Sequence, residues 1–159
     1  MTSIGRLAAT LACVALTAAS LHAGDVSRYR DFRIGAGLSA VAELARLEPA
    51  QVKVVHRRPA LIQELEWAPQ PLGPSTESEA VRQVVFNFYN NELYRITVRY
   101  DPYKTEGLTT EDVIEAVSST YGAAGRTAGE VVLPSIYGND ETLPVLARWE
   151  DAENAFSLV

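Results

Sequence analysis

The longest predominantly apolar stretch lies at the front of the chain, residues 7–19, broken only by Thr10 and Thr17, with a single charge before it at Arg6 and small residues after it. It falls short of the roughly 20 apolar residues a membrane-spanning helix needs. With its basic start and small-residue end it predicts a secretory signal peptide over residues 1–23. Cleavage fits after Ala19, Ser20 or Ala23, although the last site puts bulky Leu21 where a small side chain is preferred. Loss of this segment predicts a single exported domain, residues 24–159, with no transmembrane segment and a periplasmic or secreted location.

After the leader the apolar positions take up shorter rhythms. Leu38, Val41, Leu44 and Ala45 recur at helical spacing, predicting a helix over 39–47 that Pro49 stops. Strands are expected over 52–56 and 61–67. Pro69, Pro71, Gly73 and Pro74, with Ser75, Thr76 and Ser78, then predict a loop. The clearest element is an antiparallel hairpin over 81–89 and 93–100, rich in β-branched and aromatic residues. Val84, Phe86 and Phe88 alternate on one arm, and Tyr94, Ile96, Val98 and Tyr100 on the other. The two sets share a face if Phe86 opposes Ile96 and Phe88 opposes Tyr94, which a three-residue loop, 90–92, satisfies. Asn87, Arg95, Thr97 and Arg99 then fall on a solvent face, with Leu93 and Val85 as exceptions. A second helix is predicted from Thr109 to Tyr121. Thr109 and Asp112 have capping-box spacing, Val113, Ile114, Val117 and Tyr121 share the core face, and Gly122 is the expected left-handed terminator.

The starts of the two helices match, Gly37-Leu38-Ser39 and Gly107-Leu108-Thr109. Leu65-Glu66-Trp67 finds a counterpart in Ala147-Arg148-Trp149, and the offset of the helices carries Phe86 onto Phe156. This predicts a tandem duplication, units 32–101 and 103–159, whose second copy is incomplete at Val159. The natural chain is then expected to continue past that residue. The fold class expected from these elements is α+β, an antiparallel sheet packed on one or two helices.

Composition narrows the chemistry. The net charge is −6, and removal of Arg6 makes it −7, so nothing points to nucleic acid. Cys13 is the only cysteine. Its Thr10-Leu11-Ala12-Cys13 context fails as a lipidation site, because Thr10 stands where Leu is wanted and the apolar run continues beyond the cysteine. Cleavage therefore leaves no thiol for disulfides, thiolate catalysis or metal binding. His56 is the one histidine safely inside the exported domain, since His22 lies at the cleavage region, and a His-rich zinc site is excluded. No cofactor is expected.

Lys53, His56, Arg57 and Arg58 form the main candidate site, a basic corner for an anion or an acidic partner. Glu64 and Glu66 have the alternation of a solvent face and would be paired carboxylates only in a glycosidase-like cleft. Asn139, Asp140 and Glu141 lack the spaced oxygens of a calcium loop and predict a turn. Gly35-Ala36-Gly37-Leu38-Ser39-Ala40 matches a dinucleotide fingerprint, with Arg57 and Arg58 where an NADP phosphate would sit. Against that reading, residues 30–34 are too charged for a strand buried on both faces, and the chain continues as an antiparallel hairpin. Trp67 and Trp149 are expected in the core, and Tyr94 and Tyr100 as core or interface anchors.

A helix introduced by Gly-Leu-Ser/Thr and followed by antiparallel strands ending in Trp, in an exported chain, resembles the BamE-like (SmpA/OmlA) envelope proteins and the β-lactamase inhibitory proteins. This chain has neither the lipobox of the former nor the disulfides of the latter. The resemblance implies a binding or structural module without enzymatic activity, docking another envelope protein. The alternative from a different class is a small periplasmic hydrolase using a carboxylate with His56.

Overall fold

In a computed structural model of the protein, residues 24–68, 80–125, 129–133 and 140–159 are described. The expected signal peptide, with Cys13 and His22, and the predicted loop 69–78 lie outside them.

A short hairpin of β1 (Arg28–Tyr29) and β2 (Phe32–Arg33) leads into helix α1 (Leu38–Ala45). Arg30 turns that hairpin with a left-handed φ of 55°. A four-stranded antiparallel sheet follows, in the order β3 (Lys53–His56), β4 (Ile62–Trp67), β5 (Val81–Tyr89), β6 (Glu92–Tyr100). After helix α2 (Thr110–Tyr121) come two separate hairpins. One pairs β7 (Glu130–Leu133) with β8 (Glu141–Pro144), the other β9 (Ala147–Glu150) with β10 (Ala155–Leu158).

The α+β expectation is corrected. Among the described residues strand outweighs helix, 43% to 20%, and the strands fall into four small antiparallel sheets, so no one sheet is backed by both helices. The physical reason lies beyond α2. There the strands are four residues long and close locally with their neighbours, and α2 has no fully buried residue. Periodicity gave α2 an apolar face, but Val113, Ile114, Val117 and Tyr121 are only half-buried.

The main core joins α1 to one face of the four-stranded sheet. Leu38, Val41, Ala42 and Ala45 meet Phe32, Leu65, Val84, Phe86, Phe88 and Leu93. Leu44, expected on this face, is 52% exposed, and Ala42 takes its place. The helix ends earlier than Pro49 requires, because Arg46 adopts a left-handed conformation and its N–H closes the last turn. Pro49 instead opens a 3₁₀ turn, Pro49–Gln51. Trp67 packs at the edge of the core, 5.3 Å from the Phe32 ring. Trp149 lies in a second centre near the C-terminus, where it is 2% exposed and its ring is 5.3 Å from that of Phe156. Tyr121 stacks on Phe156 at 5.7 Å.

The hairpin register holds where it was argued and departs at the turn. Phe86 opposes Ile96 and Val84 opposes Val98. However, Asn90 and Asn91, with φ of 50° and 68°, make a two-residue turn closed by Tyr89 and Glu92. These positive values at both central positions suit the twist of a tight hairpin. A bulge at Tyr94 then restores the even register. Phe88 consequently meets Leu93, which is buried, while Tyr94 is pushed out to 40% exposure. Asn87 also differs from expectation: it is buried and donates through Nδ2 to Glu64 Oε2 at 3.2 Å.

The α2 cap forms as predicted. Asp112 N–H donates to Thr109 Oγ1 at 3.2 Å, and Thr109 N–H donates to Asp112 Oδ2 at 2.7 Å. Gly122 ends the helix at φ 89° but with ψ −174°, an extended rather than helical left-handed conformation that glycine alone adopts readily.

Candidate functional site

β3 is an edge of the four-stranded sheet, and the basic residues sit on it and on the connection to β4. Lys53, His56, Arg57 and Arg58 are all exposed. Lys53 faces Glu64 across the ladder and pairs through Nζ with Glu66 Oε1. Glu66 in turn accepts from Gln83 Nε2 at 3.1 Å through its other oxygen. Glu64 and Glu66 thus belong to a row of cross-strand contacts with Lys53, Gln83 and Asn87 on the face away from α1, exposed at Glu66 but half-buried at Glu64 and buried at Asn87.

Lys53 is therefore held in the sheet surface, while His56, Arg57 and Arg58 lead off it. His56 opposes Ile62 past a register shift between Val54 and His56. Its ring has no hydrogen bond or ion pair to a carboxylate among the described residues, and neither do the guanidinium groups of Arg57 and Arg58. Three adjacent cationic or proton-accepting side chains then face solvent at a strand end.

The perturbed titratable groups lie elsewhere. Asp25 is lowered to about 2, first by the Ser27 hydroxyl and then by Arg33, whose Nη2 is 2.8 Å from Oδ2. Asp112 and Asp151 are held low mainly by backbone N–H donors, from Thr109 and from Glu153 and Asn154 respectively. Burial raises Tyr29 and Tyr100. None of these groups adjoins the basic corner.

Other predicted sites resolve differently. Gly35 to Ala40 does open a helix, but Gly35 N–H bonds Leu93 O at 2.7 Å and Leu38 N–H bonds Asn91 O at 2.9 Å. The backbone groups a pyrophosphate would need are thus engaged by the β5–β6 turn. Of the proposed calcium set, Asn139 lies outside the described residues, and Asp140 and Glu141 lead into β8. Among the described residues no cluster of three or more His, Cys, Asp or Glu could hold a metal ion, and no helix is long and apolar enough to cross a membrane.

Two surface features escaped the sequence reading. One is a cleft of about 930 Å³ between the β1–β2 region, the start of β6 and the segment entering β10. The other is an apolar groove of about 430 Å³ along α2, lined by Tyr100, Leu108, Val113, Val117, Leu146 and Leu158. The half-exposed Leu108 and Tyr100 were the available signal, since neither belongs to the main core. No family model matches this chain, and neither the curated proteins nor the solved structures contain a match.

Proposed function

We propose that this protein is an exported binding module of the cell envelope that docks an acidic surface of another envelope protein through Lys53, His56, Arg57 and Arg58. The observation that carries the reading is the exposure of His56, Arg57 and Arg58 side by side at the β3 edge, without carboxylate partners among the described residues. Exposed cations of this kind contribute little to stability and much to the rate and selectivity of encounter. The basic corner also stands out against a chain of net charge −6, which favours one orientation toward an acidic partner. The leader over 1–23 supports a periplasmic or secreted location, and the resemblance of the Gly-Leu-Ser/Thr helix starts and Trp-ended strands to BamE-like domains supports an envelope protein as partner.

The hydrolase alternative draws less support, because His56 lies on an open strand edge and lines none of the three clefts found among the described residues. The test is capture from envelope extract by the exported chain and by an Arg57→Glu/Arg58→Glu variant. The proposal expects a protein retained by the first and lost by the second. Equal capture by both, or a hydrolytic activity abolished in His56→Ala, would overturn it.

A further inference from the structure

The opposite edge of the same sheet carries a different kind of surface. Asn90 N–H donates to Leu61 O at 2.8 Å, so even-numbered positions of β5 turn their backbone groups toward β4 and odd-numbered ones toward β6. It follows from the Phe86↔Ile96 and Val84↔Val98 pairs that Ile96 and Val98 direct their N–H and C=O groups away from β5. Leu93 does the same, and there the outward groups are used: its N–H donates to Ala36 O at 2.9 Å and its C=O accepts from Gly35 N–H at 2.7 Å. Beyond Leu93 this pairing stops. The outward groups of Ile96 and Val98 have no backbone partner among the described residues.

β10 presents a second edge of the same kind. Arg148 exchanges hydrogen bonds with Gly125 at 2.9 and 2.7 Å, on the side of β9 away from β10. Ala147 and Trp149 therefore face Leu158 and Phe156, and the backbone groups of Ala155 and Ser157 point outward. Residues of the two edges line shared clefts in the same chain order. Ala155 borders the same cleft as Tyr94 and Arg95, Leu158 shares the apolar groove with Tyr100, and Val159 lines a third cleft with Val98 and Arg99. No hydrogen bond joins β6 to β10. β10 also lacks the charge and ladder irregularity that protect the β3 edge.

The geometry points to a strand-addition site: the slot between β6 and β10 takes one extended peptide segment of a partner protein, hydrogen-bonded to Ile96 and Val98 on one side and to Ala155 and Ser157 on the other. Such edges select a polypeptide, because a peptide backbone supplies donors and acceptors at the required strand repeat. The flanking side chains set its pattern. Tyr100, Leu146 and Leu158 form an apolar wall, whereas Arg95 stacks on Tyr94 with no carboxylate partner among the described residues and Arg99 reaches Glu141 at only 3.9 Å. The segment that fits alternates apolar with acidic residues. The site is separate from the basic corner, at the other edge of the sheet.

The test uses the full chain after export and a fluorescent Val-Glu-Val-Glu-Val-Glu-Val peptide, read by anisotropy and by amide hydrogen exchange. Saturable binding should protect the amides of Ile96, Val98 and Ser157. N-methylation of alternate peptide amides should weaken binding about tenfold or more, the loss expected from a few ladder hydrogen bonds. Ser157→Pro should weaken it similarly, since that N–H does not serve the β9 ladder, and Arg57→Glu/Arg58→Glu should bind as the wild type does. Unaltered binding of the N-methylated peptide overturns the proposal even if Ser157→Pro fails to fold. Absence of binding overturns it too, as does protection of the same amides by dimerisation at rising protein concentration, which would make a second copy the occupant.

Discussion

The indole N–H of Trp149 donates to the carbonyl of Gly122 at 2.9 Å. This bond ties β9 to the C-terminal end of α2, and Trp149 is almost fully buried. Trp149→Phe should keep most of the packing but leave the Gly122 carbonyl short of a donor, costing about 1–3 kcal/mol. Trp149→Ala should cost about 3–5 kcal/mol through the cavity it leaves. Urea unfolding of both variants checks this. A neutral Trp149→Phe would mean that the bond contributes nothing to the second packing centre.

The hairpin gives a graded expectation. Phe86 is fully buried, Ile96 partly so, and Arg95 lies on the other face. Phe86→Ala should cost about 3–5 kcal/mol, Ile96→Ala about 2 kcal/mol, and Arg95→Ala no more than about 0.5 kcal/mol. Equal destabilisation at all three sites, measured by chemical denaturation, would contradict the register.

Acid should release the α2 cap. Backbone and hydroxyl donors from Thr109 hold Asp112 below its ordinary value of 3.8. A carboxylate lowered in the folded state contributes its stability above the unfolded value and loses it as pH falls through the folded one. The stability gap between wild type and Asp112→Ala should therefore be full at about pH 6 and shrink once the pH drops below 3.8. Thr109→Ala should cost about 1 kcal/mol at neutral pH. A gap that stays constant into acid would rule out an ionised cap.

The expected leader makes a simple mass prediction. Protein recovered from the periplasm or medium should begin between Ser20 and Gly24 and carry no lipid. Intact mass spectrometry decides it, and retention of Met1 or a diacylglyceryl adduct at Cys13 would contradict the reading.

Much of the local structure was legible because its causes are local. The β5–β6 strands follow from alternation and the start of α2 from Thr109 and Asp112. Alternation fixed which residues share a face but not how the turn reaches that register. The same pairing arises from a three-residue loop or from a tight turn with a bulge, and the two Asn residues chose the second. Sheet assembly was less legible. Whether β10 joins β6 or closes only on β9 depends on contacts between distant segments, and no short pattern encodes them. That is why a single sheet backed by helices was expected where four small sheets form among the described residues. The slot between β6 and β10 was hidden for the same reason, since Ile96 and Ser157 are remote in sequence and ordinary in character.

Docking of an acidic partner by the basic corner shows itself most plainly in association kinetics. With the partner captured from envelope extract, the association rate is measured for the wild type and for Arg57→Glu/Arg58→Glu across a range of salt concentrations. The variant should associate more slowly, with a shallower dependence on salt and an unchanged unfolding midpoint, because exposed charges steer encounter more than they stabilise the fold. Identical rates and identical salt dependence for the two proteins would contradict it.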